Sequence, residues 1–231
     1  MPLGASVHDL VEQQVQRWMA EQKRKGEAPP VREPARPIVT VSRQAGTSGT
    51  ELARRAAEAL GFRLWDQELV QRIAEQSGAP ETLLRAVDER ARSAIEDLLS
   101  GILMGEAGTE TEYVAQLTRL FHAIAHHGSA VVVGREAQFV IPTEASLRVR
   151  IVAPLDVRVR TLAGVRRTSE AEARAEVDRL DRERSTFIRH HYQRDAADPC
   201  AYDLVLNVGG VPPAHAADVI VAAYRAKFPR S

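Results

Sequence analysis

The chain has 231 residues, with 31 basic and 31 acidic side chains and therefore no formal net charge. Hydrophobic residues make up 44% and charged residues 27%, which fits a globular protein and argues against wholesale disorder. The balanced charge argues against a general nucleic-acid binder. A single cysteine, Cys200, excludes an internal disulfide, argues against zinc and points to a reducing compartment. No signal-peptide pattern opens the chain, and no apolar run approaches the ~20 residues of a membrane helix. The expectation is a cytoplasmic protein with neither nucleic acid nor membrane among its partners.

The first 26 residues read as an amphipathic helix, centred on residues 8–25, where Leu10, Val11, Val15, Trp18 and Met19 recur near helical spacing. Residues 27–37 (EAPPVREPARP) form a proline-rich tether, because proline donates no backbone hydrogen bond and favours extended chain. The helix either packs on its own domain or serves as an arm for a homodimer or a protein partner. The main domain runs over residues 38–231.

Within it, IVTVS from Ile38 is a β-branched apolar run and reads as a buried strand. A Gly/Ser/Thr turn follows, then the helical stretch ELARRAAEALG, stopped by Gly61. FRLW reads as a short strand ending at Asp66. Helices are expected over residues 66–77, 81–103 and about 112–127. AVVVG (130–134) and LRVRIVA (147–153) are two more strands. A charge-rich helix is expected over 169–192, the last strand at DLVLNV (203–208), and the last helix over 213–227. Short apolar strands separated by helices imply a parallel sheet covered on both faces, an α/β architecture.

The first strand runs directly into Ser42-Arg43-Gln44-Ala45-Gly46-Thr47-Ser48-Gly49-Thr50 and then a helix. Glycines let backbone amides turn inward, and a helix N-terminus adds partial positive charge, so this is anion-binding geometry. Ser48 and Thr50 offer hydroxyls to a metal ion or a phosphate. The ordinary phosphate-loop pattern, G-x-x-x-x-G-K-[ST], is incomplete here. Its lysine is missing, with Gly49 in that slot, and Ser42 or Arg43 stands at its first glycine. The plainer reading is a helix N-cap at Ser48 or Thr50. His122 and His126 are spaced to share a helix face, but no carboxylate completes a metal motif, and no metal centre is expected.

VTVSRQAGTSGTELARRAAEALGFRLWDQEL resembles the cytidylate-kinase-like family, and three later segments agree: VVVGREAQFVI, LRVRIVAPLDVRVR, and DRERSTFIRHHY followed by DPCAYDLVLNV. The resemblance covers about residues 37–227. It implies a three-layer P-loop fold with a five-stranded parallel sheet, a helical monophosphate-binding insert and a short lid. It also implies ATP and Mg2+ as cofactors and phosphoryl transfer to a nucleoside monophosphate, CMP or dCMP first. By the same resemblance, loop residues Ser42, Arg43, Gly46, Thr47, Ser48, Gly49 and Thr50 hold the donor. Arg135, Asp181 and Arg184 carry catalysis, the last two as a D-x-x-R pair beyond the lid. Asp66, Arg72, Arg135, Glu136 and Arg158 face the acceptor. Arginine suits such work because its planar, permanently charged fork pairs with phosphate in bidentate fashion. Arg43 is the candidate to replace the missing lysine. Two other readings remain open: a nucleotide-binding regulatory protein that lost catalysis, and a kinase for a non-nucleotide small molecule.

Overall fold

The computed structural model describes residues 36–75 and 109–229, together with Gln13, Gln16 and Leu83. The expected N-terminal helix, nearly all of the proline-rich tether and the expected helix over 81–103 lie outside the described residues. The chain divides into two compact units, one containing residues 37–66 and 129–231 and the other containing 67–128.

The first unit carries the sheet. Its strands are β1 (Ile38–Arg43), β2 (Arg63–Trp65), β3 (Ala130–Val133), β4 (Ser146–Val152) and β5 (Leu204–Asn207). They run parallel in the order β2-β3-β1-β4-β5. Ile38, Val39, Thr40 and Val41 are all buried, so β1 reads as a continuous apolar run rather than an alternating one. It lies at the centre of the sheet, with β3 on one side and β4 on the other. Such a position puts the end of β1 at a switch point, where open α/β sheets form their ligand crevices.

Helix α1 (Gly49–Leu60) follows the loop after β1. It buries Leu52, Ala53, Ala56, Ala57 and Leu60 at helical spacing, and Gly61 ends it in a left-handed cap, φ 67°. That face joins Val39, Val41, Val131, Val149 and Ile151 of the sheet, and Ile220 and Tyr224 of the last helix, in one core. Tyr224 meets Phe62 edge-on at 5.2 Å, and its hydroxyl donates to the Pro37 carbonyl at 2.7 Å.

In the second unit, helices α2 (Gln67–Glu75) and α3 (Thr109–His127) are described. The remaining helices belong to the sheet unit. They are α4 (Ala137–Val140), α5 (Leu155–Arg166), α6 (Glu170–Tyr192) and α7 (Pro213–Lys227). Two of these were not among the expected elements, the one-turn α4 and the full helix α5 over residues 155–166. The alternation Val157, Val159 imitates a strand, but Pro154 opens the helix and Arg167 closes it at φ 57°. α5 and α6 pack against each other as a hairpin, and Ser169 and Glu172 form a complete capping box at the start of α6. No described helix is long and apolar enough to cross a membrane.

The β4–β5 edge is fastened by Asp203. Its Oδ2 accepts from the Arg148 amide and from Lys227 Nζ, each at 2.8 Å, and its Oδ1 pairs with Arg148 Nη2 at 2.9 Å. Burial opposes ionisation, but these donors outweigh it and hold the carboxyl at about 2, against an ordinary 3.8. A depressed carboxyl stabilises the fold above its unfolded value and loses that contribution as pH falls through the folded one. Asp203→Asn is therefore expected to cost about 1–2 kcal/mol near neutral pH, allowing for partial exposure. In thermal unfolding the gap between the two proteins should close as pH falls from 3.8 towards about 2.

Candidate active site

The loop after β1 is braced from behind by the α5–α6 hairpin. Asp181 of α6 accepts from the Ala45 amide at 3.0 Å through Oδ1, and its Oδ2 pairs with Arg158 Nη1 at 2.5 Å. Arg158, buried in α5, also donates to the carbonyls of Ala153 at 3.1 Å and Ala45 at 3.4 Å. Arg184, one turn beyond Asp181, donates to the Arg43 carbonyl at 2.6 Å. Two side chains from α6 and one from α5 thus fix the backbone of residues 43–45. Gly46 completes the brace at φ 80°, where a Cβ would collide with the Arg158 carbonyl. Thr47 spends its hydroxyl on the Gln44 carbonyl at 2.8 Å. Ser48 is the N-cap residue of α1, as the plainer reading expected, but it sits at φ 54° and its side chain makes no cap hydrogen bond. Its hydroxyl and that of Thr50 are on exposed residues.

Arg43 does not curl into the loop. A Cβ on Gly49 would stand 2.8 Å from Arg43 Cβ, while the far end of the same side chain lies against Gly134 at the end of β3. Arg43 therefore crosses from the loop to the next strand end. This also explains the missing lysine: a side chain at position 49 would occupy the space that Arg43 takes. Gly134, Arg135 and Glu136 follow in three successive left-handed conformations, φ 74°, 51° and 59°. For Arg135 and Glu136 that backbone costs about 1 kcal/mol or more each. The turn aims both residues back towards the charges at the end of β1.

Around it the charges converge. Glu136 is buried, which raises its carboxyl above the ordinary 4.5, and Arg184, Arg135, Arg43 and Arg150 act against that rise. Arg43 is pushed down to about 10, chiefly by burial and then by Arg184. Glu136 and Asp66 partly restore it. Burial also lowers Arg184. With Arg158, five arginines share three carboxylates, Asp66, Glu136 and Asp181. Such an excess of buried cation beside a glycine-bearing loop and a helix N-terminus is suited to a polyphosphate.

Residues 38–209 match the sequence profile of the cytidylate kinase-like family. The chain belongs to that family. A cytidylate kinase of Methanothrix thermoacetophila is 26% identical over 190 residues, 82% of this chain and 98% of that protein. Among solved structures, an uncharacterized protein from Eubacterium ventriosum superposes with a TM-score of 0.65 at 18% identity, over 83% of this chain and 99% of that one, which shows a shared fold. A shikimate kinase from Bacteroides thetaiotaomicron covers similar shares, 83% and 98%, at 15% identity and a TM-score of 0.42, too loose a likeness to weigh. Membership of a kinase-like family supports a phosphotransferase.

Of the residues that the resemblance singled out, the structure gathers Ser42, Arg43, Asp66, Arg135, Glu136, Asp181 and Arg184 about the ends of β1 and β3. Arg158 and Asp181 are engaged inward, bracing the loop rather than presenting open charge. Arg72 lies on α2, in the other unit, and pairs with Glu68 at 2.6 Å on its own helix. Arg150 was missed. Its signal was present in LRVRIVA, where a strand interior to the sheet carries arginines at positions 148 and 150. Among the described residues no cluster of His, Cys, Asp and Glu could hold a metal ion.

Gly46→Ala is expected to destabilise the protein by about 1–3 kcal/mol, because it adds both a steric collision and a strained φ. Thermal unfolding should show it, and Gly61→Ala provides the comparison. Gly61 shares the left-handed φ, but a Cβ there meets nothing within 4 Å, so the larger loss belongs at Gly46.

Proposed function

We propose that this member of the family is an ATP-dependent nucleoside monophosphate kinase, with CMP or dCMP as its acceptor. The observation that carries the reading is the convergence of Arg43, Arg135, Arg150 and Arg184 on Glu136 beside a braced, glycine-bearing loop. Phosphoryl transfer asks little covalent chemistry of the protein. It requires two anionic nucleotides to be held in line while charge shifts between their oxygens.

The loop amides and the N-terminus of α1 would hold the donor's phosphates. Arg43, reaching from the loop to Gly134, would span donor and acceptor. Arg135, held in a strained turn, would grip the acceptor phosphate, and Glu136 would orient the acceptor from its buried position. Arg184, anchored on the Arg43 carbonyl, would neutralise charge on the group in flight. The exposed hydroxyls of Ser48 and Thr50 fit Mg2+ with several waters retained, the coordination that ion prefers beside phosphates. When bound, Mg2+ would neutralise the donor's β- and γ-oxygens.

A binding-only role is the second reading. It is favoured by the inward engagement of Asp181 and Arg158, which leaves the α5–α6 hairpin bonded to the loop.

Release of ADP from Mg-ATP with CMP, dCMP, UMP, AMP or GMP decides between them. Turnover on one pyrimidine monophosphate, reduced at least ~100-fold by Arg135→Ala, is expected. Folded protein that binds ATP but turns over none of the five would favour the binding-only role or a non-nucleotide acceptor. Arg43→Gln, which removes a charge from the loop, should weaken ATP affinity by about tenfold or more in a binding titration.

A further inference from the structure

A second opening lies on the β4–β5 side of the sheet unit, with a volume of about 250 Å3. Its floor is Arg150 and Val152 of β4 and Val205 of β5, and Arg150 and Val205 are register partners across the two strands. Pro199 and Tyr202, from the segment between α6 and β5, form a wall, and Gln44 of the phosphate loop forms the end. Everything in it except Arg150 and Gln44 is hydrocarbon or already satisfied. The Tyr202 hydroxyl, for example, is spent on the Ala196 carbonyl at 3.0 Å.

The polar atoms left over are all donors. Arg150 is 9% exposed, and its Nη1 donates to Ser42 Oγ at 2.6 Å. Among the described residues its guanidinium makes no other hydrogen bond, so Nε and Nη2 have capacity to spare. Its carbon stands 5.7 Å from the Tyr202 ring centroid, which favours the cation but accepts no hydrogen bond in the plane of the fork. Gln44 Oε1 accepts from the Ala153 amide at 3.1 Å, which leaves its amide nitrogen as a further donor. Those donors open on the cavity, where an anion would replace water with charge-assisted hydrogen bonds.

We propose that this cavity is a second ligand site, taking a small carboxylate with an apolar body and coupled to the phosphate loop through Ser42 and Gln44. The donor set matches two carboxylate oxygens, and Val152, Pro199 and Val205 match the hydrocarbon. A phosphate brings more oxygens than these walls can satisfy. The ligand's charge would balance Arg150, whose field reaches both Glu136 and Arg184. Carboxylate binding and nucleotide binding would then change each other's affinity by the same factor. That coupling rests on the nucleotide-binding reading, whereas carboxylate binding is measured without nucleotide, so the two fail separately.

The test is calorimetric titration of the full chain with benzoate, with its neutral isostere benzamide, and with inorganic phosphate. Saturable one-to-one binding of benzoate is expected, with benzamide and phosphate weaker by roughly tenfold or more, the scale of one charge-assisted pair. Arg150→Gln should abolish the preference for benzoate over benzamide. Should that variant fail to fold, Val205→Phe narrows the cavity while keeping the Arg150 charge and should weaken benzoate to a similar degree. Equal binding of benzoate and benzamide, binding of phosphate in preference, or unchanged benzoate affinity in Val205→Phe would each overturn the proposal, as would no binding at all. An ATP affinity unaltered by saturating benzoate would overturn the coupling.

Discussion

Guanidinium groups repel one another and lose hydration when buried, so five of them in one place need a reason and a means of support. The support is Asp181. One of its oxygens takes the Ala45 amide and the other takes Arg158, while Arg184 on the next turn of the same helix takes the Arg43 carbonyl. The phosphate loop, the α5–α6 hairpin and the arginine cluster are therefore one hydrogen-bonded assembly. The proposed kinase activity supplies the reason: a ligand that carries several negative charges into the same place.

The departures from the ordinary phosphate-loop pattern follow from that assembly. Arg43 needs the space beside residue 49 to pass from β1 towards β3, so glycine stands where lysine is usual. Gly46 lies against the Arg158 carbonyl and can bear no side chain there. The charge that lysine would bring into the loop is delivered instead from its first residues, across to Gly134 and Arg135. The strained turn at Arg135 and Glu136 is the other half of the same device, because it brings two charged side chains to the charges at the end of the neighbouring strand.

Much of the sheet was legible in the sequence. IVTVS and AVVVG announce buried parallel strands by apolar runs without alternation, LRVRIVA alternates arginine with apolar residues, and Gly61 announces the end of α1. Arg43, Arg135, Glu136 and Arg184 stood out through the family resemblance, because short motifs keep their order along the chain. What stayed hidden was contact across long stretches of sequence. The D-x-x-R spacing pairs Asp181 with Arg184, and the two do meet at 3.5 Å, but nothing local to DRERS says that Asp181 will also reach Ala45, 136 residues earlier, or that Arg158 will be spent on the same loop. Helix α5 was hidden for another reason: it buries little besides Arg158 and Val159, so no apolar stripe marks it. Arg150 was visible as a charge inside a strand and went unused.

The central claim is that one cluster of arginines holds donor and acceptor phosphates together. Titration with a bisubstrate compound, cytidine joined to adenosine through a chain of phosphates, tests that claim most directly. The claim predicts binding tighter than to ATP or CMP alone by about 100-fold or more, since the second nucleotide binds at high effective concentration. Binding no tighter than ATP alone would contradict it, and would mean that the cluster serves a single nucleotide.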